Sequence, residues 1–168
     1  MDDKPMNVMN VEGLGRNSRG QGGFKVFRYA APKSINRDRA YVPLARSDIM
    51  LAVVQIFRNT GGEPQLHSHA ALDGFWFVLK GRARFYGDND VVAAELGEHE
   101  GIFIPRNTKY WFEPMGSEQL ELLQVEAIDK EVPNTMTTYG PKKKSGPVEI
   151  YSPEGQLIAG NVDTSVER

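Results

Sequence analysis

The chain of 168 residues contains no cysteine and no long apolar run. The absence of cysteine excludes disulfides, thiolate metal ligands and cysteine nucleophiles, and it fits a reducing compartment. No apolar stretch approaches the roughly 20 residues that span a bilayer. No apolar segment follows the first residues, as it would in a secretory signal peptide. These absences predict a cytoplasmic protein without membrane contact.

The chain also has no excess of one charge, because 20 Lys and Arg residues face 22 Asp and Glu residues. A protein that binds nucleic acid non-specifically needs a basic face that displaces counterions from phosphates. The basic run at 142–144 lies in a Pro- and Gly-rich tail, where it is expected to be solvated. We therefore expect no nucleic-acid partner. We also expect no nucleotide or flavin cofactor.

Short apolar runs separated by turn residues fill the centre of the chain. An earlier alternating run, 24–29, predicts a strand before them. The central runs that we predict as strands are 49–58, 74–79, 82–86, 91–96, 102–104, 110–113 and 120–128. No helical period separates these runs, so the pattern predicts an all-β sandwich or barrel.

Composition divides the chain into three segments. Residues 1–23 are predicted to be a flexible N-terminal arm, and residues 24–130 a β-barrel. Residues 131–168 are predicted to be a C-terminal extension with a β-hairpin at 148–159, where Pro and Gly form the turn. An isolated hairpin is marginally stable in water, so this one should dock on the barrel or on a second subunit.

The predicted strand 74–79, with the sequence GFWFVL, is apolar on both faces. One face must line the barrel. The other needs cover from the second sheet, the N-terminal arm or a partner subunit. A dimer is the usual solution, so we predict a homodimer.

One pattern in the chain carries obvious chemistry, namely His67-Ser68-His69. Residues two apart on a strand share a face, so both imidazoles would point to the same side. Neutral imidazole is the commonest protein ligand for transition metals. The pair predicts a site for a divalent metal such as Fe, Mn, Ni or Zn. The alternative is a vestigial pair, hydrogen-bonded inside a metal-free barrel.

The stretch 49–128 resembles the cupin superfamily. The first cupin motif is a Gly, five residues, His-x-His, three or four residues, Glu, six residues and Gly, and Gly61, His67, His69 and Gly81 fall in register. In the second motif, which is a Gly, five residues, Pro-x-Gly, two residues and His, Pro105 fits. The resemblance implies one small cupin-type jelly-roll barrel, a double-stranded β-helix.

A cupin usually holds its metal with two His, one Glu and a third His, and this chain departs from that set. The family's Glu position is Gly74, and its third His position is Tyr110. Two glycine positions of the second motif are His99, which we expect to be solvated, and Asn107. Asp73, at the shorter permitted spacing, would supply the carboxylate if the strand start is bulged. Tyr110 would ligate as a phenolate, or serve as a hydroxyl donor and catalytic general acid.

A pocket in the barrel mouth is predicted beside this motif. Gln124 and Glu126 are polar residues on an otherwise apolar strand face, and buried polar groups need partners. Gly74 lacks a side chain, which enlarges the cavity beside the His pair. For the aromatic residues, plain core packing is the alternative. The predicted pocket residues are Gln55, Phe57, Gly74, Trp76, Phe103, Tyr110 and Gln124.

These observations lead to alternative functions for a small-molecule-binding protein. The first is a metal-dependent enzyme, of the dioxygenase-like oxygenase, isomerase or cyclase type, acting on a small organic acid or aromatic metabolite. In it His67 and His69 bind the metal, with Asp73 or Tyr110 completing the coordination. The second is a non-catalytic, metal-free ligand-binding or interaction module. The third is a metal-independent lyase or epimerase with Tyr110 and a His as the acid–base pair.

Overall fold

The computed structural model describes residues 23–58, 63–141 and 146–162. The strands in these ranges are β1 (Arg39–Arg46), β2 (Met50–Phe57), β3 (Glu63–His69), β4 (Leu72–Lys80), β5 (Ala83–Tyr86), β6 (Val92–Leu96), β7 (Gly101–Ile104), β8 (Tyr110–Pro114), β9 (Leu120–Ile128), β10 (Met136–Thr138), β11 (Val148–Tyr151) and β12 (Leu157–Val162). A short 3-10 turn at Asp88–Asp90 is the single helical element of the described ranges. No helix in these ranges has the length and hydropathy to cross a membrane. The predicted all-β class is confirmed.

The strands form two sheets. The larger has the order β12-β11-β1-β2-β9-β4-β7, and the smaller has the order β10-β3-β8-β5-β6. Strand neighbours are antiparallel except β1 and β11, which are parallel. The two sheets enclose one apolar core, which is the jelly-roll arrangement expected from the sequence.

Alternation along each strand decides which side chains fill the barrel. Phe57 of the larger sheet and Phe85 and Phe112 of the smaller sheet are fully buried. The ring centroid of Phe112 lies 5.2 Å from that of Phe57 and 5.1 Å from that of Phe85. Phe57 pairs with Leu120, the first residue of β9. This end of the barrel is therefore apolar, and the polar inner residues of β9 lie farther along the strand.

The segment before β1 covers part of the outer face of the larger sheet. Tyr29 and Ile35 pack against the apolar outer side chains of β1 and β2. The hydroxyl of Tyr29 donates a hydrogen bond of 2.7 Å to Glu121 on β9. Residues 24–29 pair with no strand and Phe24 is fully exposed, so the predicted strand there is wrong. Single apolar side chains can dock on an existing sheet without forming a ladder.

The predicted C-terminal hairpin is present as β11 and β12, which pair antiparallel. Its turn ends at Gly155, where φ is +88° and a Cβ would lie 2.9 Å from the carbonyl oxygen of Ala30. β11 pairs in parallel with β1, so the hairpin docks on the barrel. The sequence pattern did not reveal β1, since Pro43 interrupts it; a register shift between Pro43 and Ala45 accommodates the proline.

Candidate functional site

His67 and His69 lie on β3, between β10 and β8. The backbone of His67 is in register with Tyr110 on β8 and Thr138 on β10. The centroids of the two imidazole rings are 5.2 Å apart, and the Tyr110 ring lies 4.4 Å from that of His67. The structure therefore brings together the three rings that the sequence motif singles out.

The backbone fixes which nitrogen of the neutral His67 ring carries the proton. Its Nδ1 lies 2.7 Å from the carbonyl oxygen of Gln65. A carbonyl oxygen only accepts hydrogen bonds, so in the neutral ring Nδ1 carries the proton and Nε2 carries the lone pair. His67 is 3% exposed, so this hydrogen bond lies in the barrel interior.

At two glycine positions of the second cupin motif, other residues keep the backbone conformation that glycine favours. His99 and Asn107 have φ of +66° and +63°, in the left-handed region that favours Gly and tolerates Asn. The amide of Asn107 donates 2.7 Å to the carbonyl oxygen of His69, so the β7–β8 loop closes over the end of β3. His99 is exposed, as expected for a solvated residue.

Gly74 on β4 lies opposite Glu126 on β9 and opposite Ile104 on β7. The indole of Trp76 lies over it, because a Cβ on Gly74 would be 3.1 Å from Trp76 Nε1. Trp76 is 2% exposed. The space left by the missing side chain is thus bounded by the indole, and the cavity beside the His pair is narrower than the sequence suggested.

Glu126 is a buried carboxylate on the inner face of β9, with 5% of its surface exposed. Its position follows from alternation, since Leu122 and Gln124 precede it on the same face. Burial raises the pKa of Glu126 to about 7, and the hydrogen bond from Gln124 opposes this shift only in part. A buried carboxyl group of this kind changes its charge near neutral pH.

Two predicted pocket residues orient Glu126. The amide of Gln55 donates to Gln124 Oε1, and Gln124 Nε2 donates 2.5 Å to Glu126 Oε1. Both amides are buried, so the chain of hydrogen bonds runs inside the barrel from β2 to β9. Gln55 and Gln124 were expected to orient a ligand, and here they position the carboxylate that faces the cleft.

A small cleft opens at this end of the barrel. The space available to the centre of a water molecule is about 10 Å³, roughly enough for one water. The β7–β8 loop forms one wall, and the inner faces of β3, β4, β8 and β9 form the others. The residues that line it are His69, Leu72, Gly74, Ile104, Pro105, Thr108, Tyr110 and Glu126.

Two of the aromatic residues predicted for the pocket lie elsewhere. Phe57 packs in the apolar end of the barrel against Phe112. Phe103 points to the outer face and is 62% exposed, because Ile104 beside it takes the inward direction on β7. The prediction that Phe103 lines the pocket is therefore wrong.

The side chain of Asp73 lies on the face of β4 opposite to the cleft, where it forms an ion pair with Arg106. Its two carboxylate oxygens accept hydrogen bonds of 2.8 Å from the Arg106 amide and 2.9 Å from the guanidinium, which also contacts Asp129 at 2.6 Å. The hydrogen bonds from Arg106 lower the pKa of Asp73. Asp73 is committed to this ion pair, and its role as a metal ligand stays a prediction.

The described residues of the cleft provide too few ligands for the predicted divalent metal site. Metal sites of the predicted kind need at least three His or carboxylate ligands around one point. No group of three or more His, Asp or Glu residues in the described ranges is arranged to hold a metal ion. His67 and His69 are adjacent, but the residues described do not fit a complete coordination sphere.

Thr108 is a lining residue that sequence reasoning missed. It lies in the β7–β8 loop, which hydrogen bonds from Asn107 to β3 and from Arg106 to Asp73 on β4 hold over the cleft. Glu126 carried a recognisable signal, since it is a charged residue in an alternating apolar strand. Gly61 of the first motif lies outside the described residues.

Comparison with known proteins agrees with the geometry. The family model of the cupin domain matches residues 55–126. No curated protein gives a significant match. A protein with a double-stranded β-helix domain from Klebsiella pneumoniae is 14% identical over 66% of this chain and 91% of its own, with a TM-score of 0.54. The cupin domain of Cnp3 from Schizosaccharomyces pombe is 15% identical over 58% of this chain and 70% of its own, with a TM-score of 0.51.

At these identities the solved structures speak for the fold alone. The family match covers the strands from β2 to β9 that carry the two His residues, Gly74, Tyr110 and Glu126. The spacing of the motif residues, the two-sheet barrel and the region that the family model matches all indicate the cupin fold. Residues 55–126 therefore match the cupin domain, and the chain has the double-stranded β-helix fold.

Proposed function

We propose that this chain is a small-molecule-binding cupin in which Glu126, Tyr110 and His69 act on a polar ligand by hydrogen bonding and proton transfer. The observation that carries the proposal is that a buried carboxylate, a phenol and an imidazole line one cleft. Convergence of such groups in a concave site is typical of binding and acid–base chemistry. The reaction class that this set supports is isomerisation or elimination by proton transfer.

Glu126 is the proposed base. Its carboxylate is held by Gln124 and faces the cleft, so its position does not depend on the ligand. A base with a pKa near the working pH both accepts and returns a proton efficiently. Tyr110 is the proposed hydroxyl donor that stabilises negative charge developing on a ligand oxygen.

A divalent metal held by His67 and His69 is the second candidate. The anchoring of His67 Nδ1 on the carbonyl of Gln65 favours it, because ligating imidazoles commonly donate their other N–H in this way. Against it stands the lack of a third ligand in the described residues. Glu126 or the predicted Asp73 would have to move to complete the set.

The carboxylate is tested by comparing Glu126→Gln with Asp73→Asn in chelator-treated protein. Both changes replace a carboxylate by an amide of the same shape, but only Glu126 faces the cleft. In a thermal-shift screen against small metabolites, ligands that stabilise the parent protein and Asp73→Asn should fail to stabilise Glu126→Gln. Equal ligand responses in both variants would contradict the proposal.

The metal is tested separately by elemental analysis of protein purified without chelator. If the proposal holds, the parent protein and the His67→Ala/His69→Ala double variant carry the same substoichiometric metal. One equivalent of metal in the parent, lost in the double variant, would favour the second candidate and overturn the metal-free one.

A further inference from the structure

Residues 24–28, with the sequence FKVFR, form an exposed segment ahead of the barrel that we call the arm. Phe24 is fully exposed, and Val26 is 75% exposed. The sequence pattern predicts a strand here, yet the arm pairs with no strand of the described ranges. Strand formation depends on packing against neighbouring side chains. The arm therefore has the side chains of a packed strand without a surface to pack on.

The base of the arm is fixed on the larger sheet. The hydroxyl of Tyr29 donates to Glu121 at 2.7 Å, and the amide of Ala30 donates to the carbonyl oxygen of Pro153 at 2.8 Å. Beyond this point the arm exposes three apolar side chains close together, which is unfavourable in water. These side chains are therefore available to a second surface.

Another exposed apolar surface lies at the edge of the same sheet. Phe75 on β4 and Phe103 on β7 are cross-strand partners that are 45% and 62% exposed. The ring of Phe77 stacks beside that of Phe75, with centroids 6.2 Å apart. We call these three residues the edge patch, since β7 ends the strand order of the larger sheet. An apolar edge of this kind is a surface on which another chain segment packs.

The charges around the two surfaces are opposite. Lys25 and Arg28 lie in the arm, and no acidic residue occurs between positions 23 and 37. Glu98 and Glu100 are exposed in the turn that leads into β7, and no Lys or Arg occurs between positions 97 and 105. Opposite charges beside two apolar surfaces favour their association and fix its orientation.

We propose that the arm of one protomer packs on the edge patch of a second copy of this chain, and that two copies exchange arms in a two-fold dimer. The basic residues of the arm then lie near Glu98 and Glu100 of the second copy. The exposed apolar surface of both arms and both patches comes to roughly 1,200 Å², the lower limit of standard stable interfaces. One arm folded onto its own patch would cover half of that area. The inference does not depend on the function proposed for the cleft.

Sedimentation velocity of the full chain tests the exchange with one variant in each surface. Phe24→Ser/Val26→Ser changes the arm and keeps the edge patch, whereas Phe103→Ser changes the patch and keeps the arm. Each variant should weaken dimerisation at least tenfold, and Val92→Ser, at an exposed position on the smaller sheet, should not. A mixture of the arm and patch variants retains one intact arm and one intact patch. The mixture should therefore dimerise more tightly than either variant alone.

The absence of cysteine allows the contact to be located by cross-linking. When Lys25→Cys and Glu100→Cys proteins are mixed, a short bismaleimide should join the two different chains. This link should form at least tenfold faster than the link between Lys25→Cys and Val92→Cys.

Three results would overturn the inference. The first is a parent protein that is monomeric at all concentrations, and the second is an arm variant that dimerises as tightly as the parent. The third is a link that forms only within single chains of the Lys25→Cys/Glu100→Cys double variant, which would show that the arm covers its own patch.

Discussion

At the scale of single residues, the cleft owes its chemistry to a carboxylate on a neighbouring strand. Gly74 takes the position where the cupin pattern has a Glu, and Glu126 lies directly opposite it on β9. A carboxylate at Gly74 would contact Trp76, whose Nε1 is 3.1 Å from the Cβ position. Glu126 supplies a carboxylate to the same cleft without displacing the indole.

The buried Glu126 predicts a pH-dependent stability. Burial raises the pKa of Glu126 from 4.5 to about 7. Between these two pH values the folded state therefore keeps a proton that the unfolded state has lost. The corresponding stability is full below pH 4.5 and is lost as pH rises through about 7. Over this pH range we expect the unfolding free energy of the parent protein to fall by roughly 3 kcal/mol relative to that of Glu126→Gln.

Urea unfolding of the parent protein and Glu126→Gln across this pH range measures the difference. His69 and Tyr110 are the other titratable groups that line the cleft. The parent protein and Glu126→Gln both retain them, so their contributions cancel. A difference in unfolding free energy that does not change with pH would show that Glu126 is not titrating in this range.

At the scale of elements, turns hold the motif strands in register even where their usual residues are replaced. His99 and Asn107 keep positive φ in two such turns. Gly81, between β4 and β5, has φ of +80°, and a Cβ there would lie 2.7 Å from the carbonyl oxygen of Gln119. Gly81 is thus required both by its backbone conformation and by the close approach of another chain segment.

Gly81→Ala should therefore destabilise the barrel more than a left-handed glycine alone would explain. Gly116 is the matched control, since it has φ of +75° and open space around its Cβ position. We expect Gly116→Ala to cost roughly 1–2 kcal/mol, and Gly81→Ala to cost a further 1–3 kcal/mol or so from overpacking. Chemical denaturation measures both, and equal losses would show that the close approach relaxes without cost.

At the scale of the whole molecule, the outer face of the larger sheet is covered unevenly. Tyr29 and Ile35 pack on this face near β1, where β11 also extends the sheet. At the other side, Phe75 and Phe103 are cross-strand partners on β4 and the edge strand β7, and they are 45% and 62% exposed. Exposed aromatic patches of this kind are typical of interaction surfaces.

The homodimer expected from the sequence stays a prediction, and this patch is where we place it. Phe103→Ser should shift the sedimentation coefficient from dimer toward monomer. The control is Leu157→Ser, which is 53% exposed on β12, the opposite edge of the same sheet. A parent protein that sediments as a monomer at all concentrations would contradict the prediction.

Much of the barrel was predictable because strand periodicity and turn residues are local signals. They located most strands and the shared face of the His pair. They failed at 24–29 and at β1, because strand formation there depends on the neighbouring sheet. They also failed at Phe103, since the apolar run 102–104 does not show which side faces the core.

The sequence by itself determined the cupin frame, the paired imidazoles of His67 and His69, and the missing carboxylate at Gly74, since spacing and alternation are properties of one strand. Only the tertiary structure placed Glu126 opposite Gly74, paired Asp73 with Arg106 and packed the Trp76 indole against Gly74. These relations join residues far apart in the chain. Sheet order and cross-strand register decide them, and both arise from packing the whole barrel.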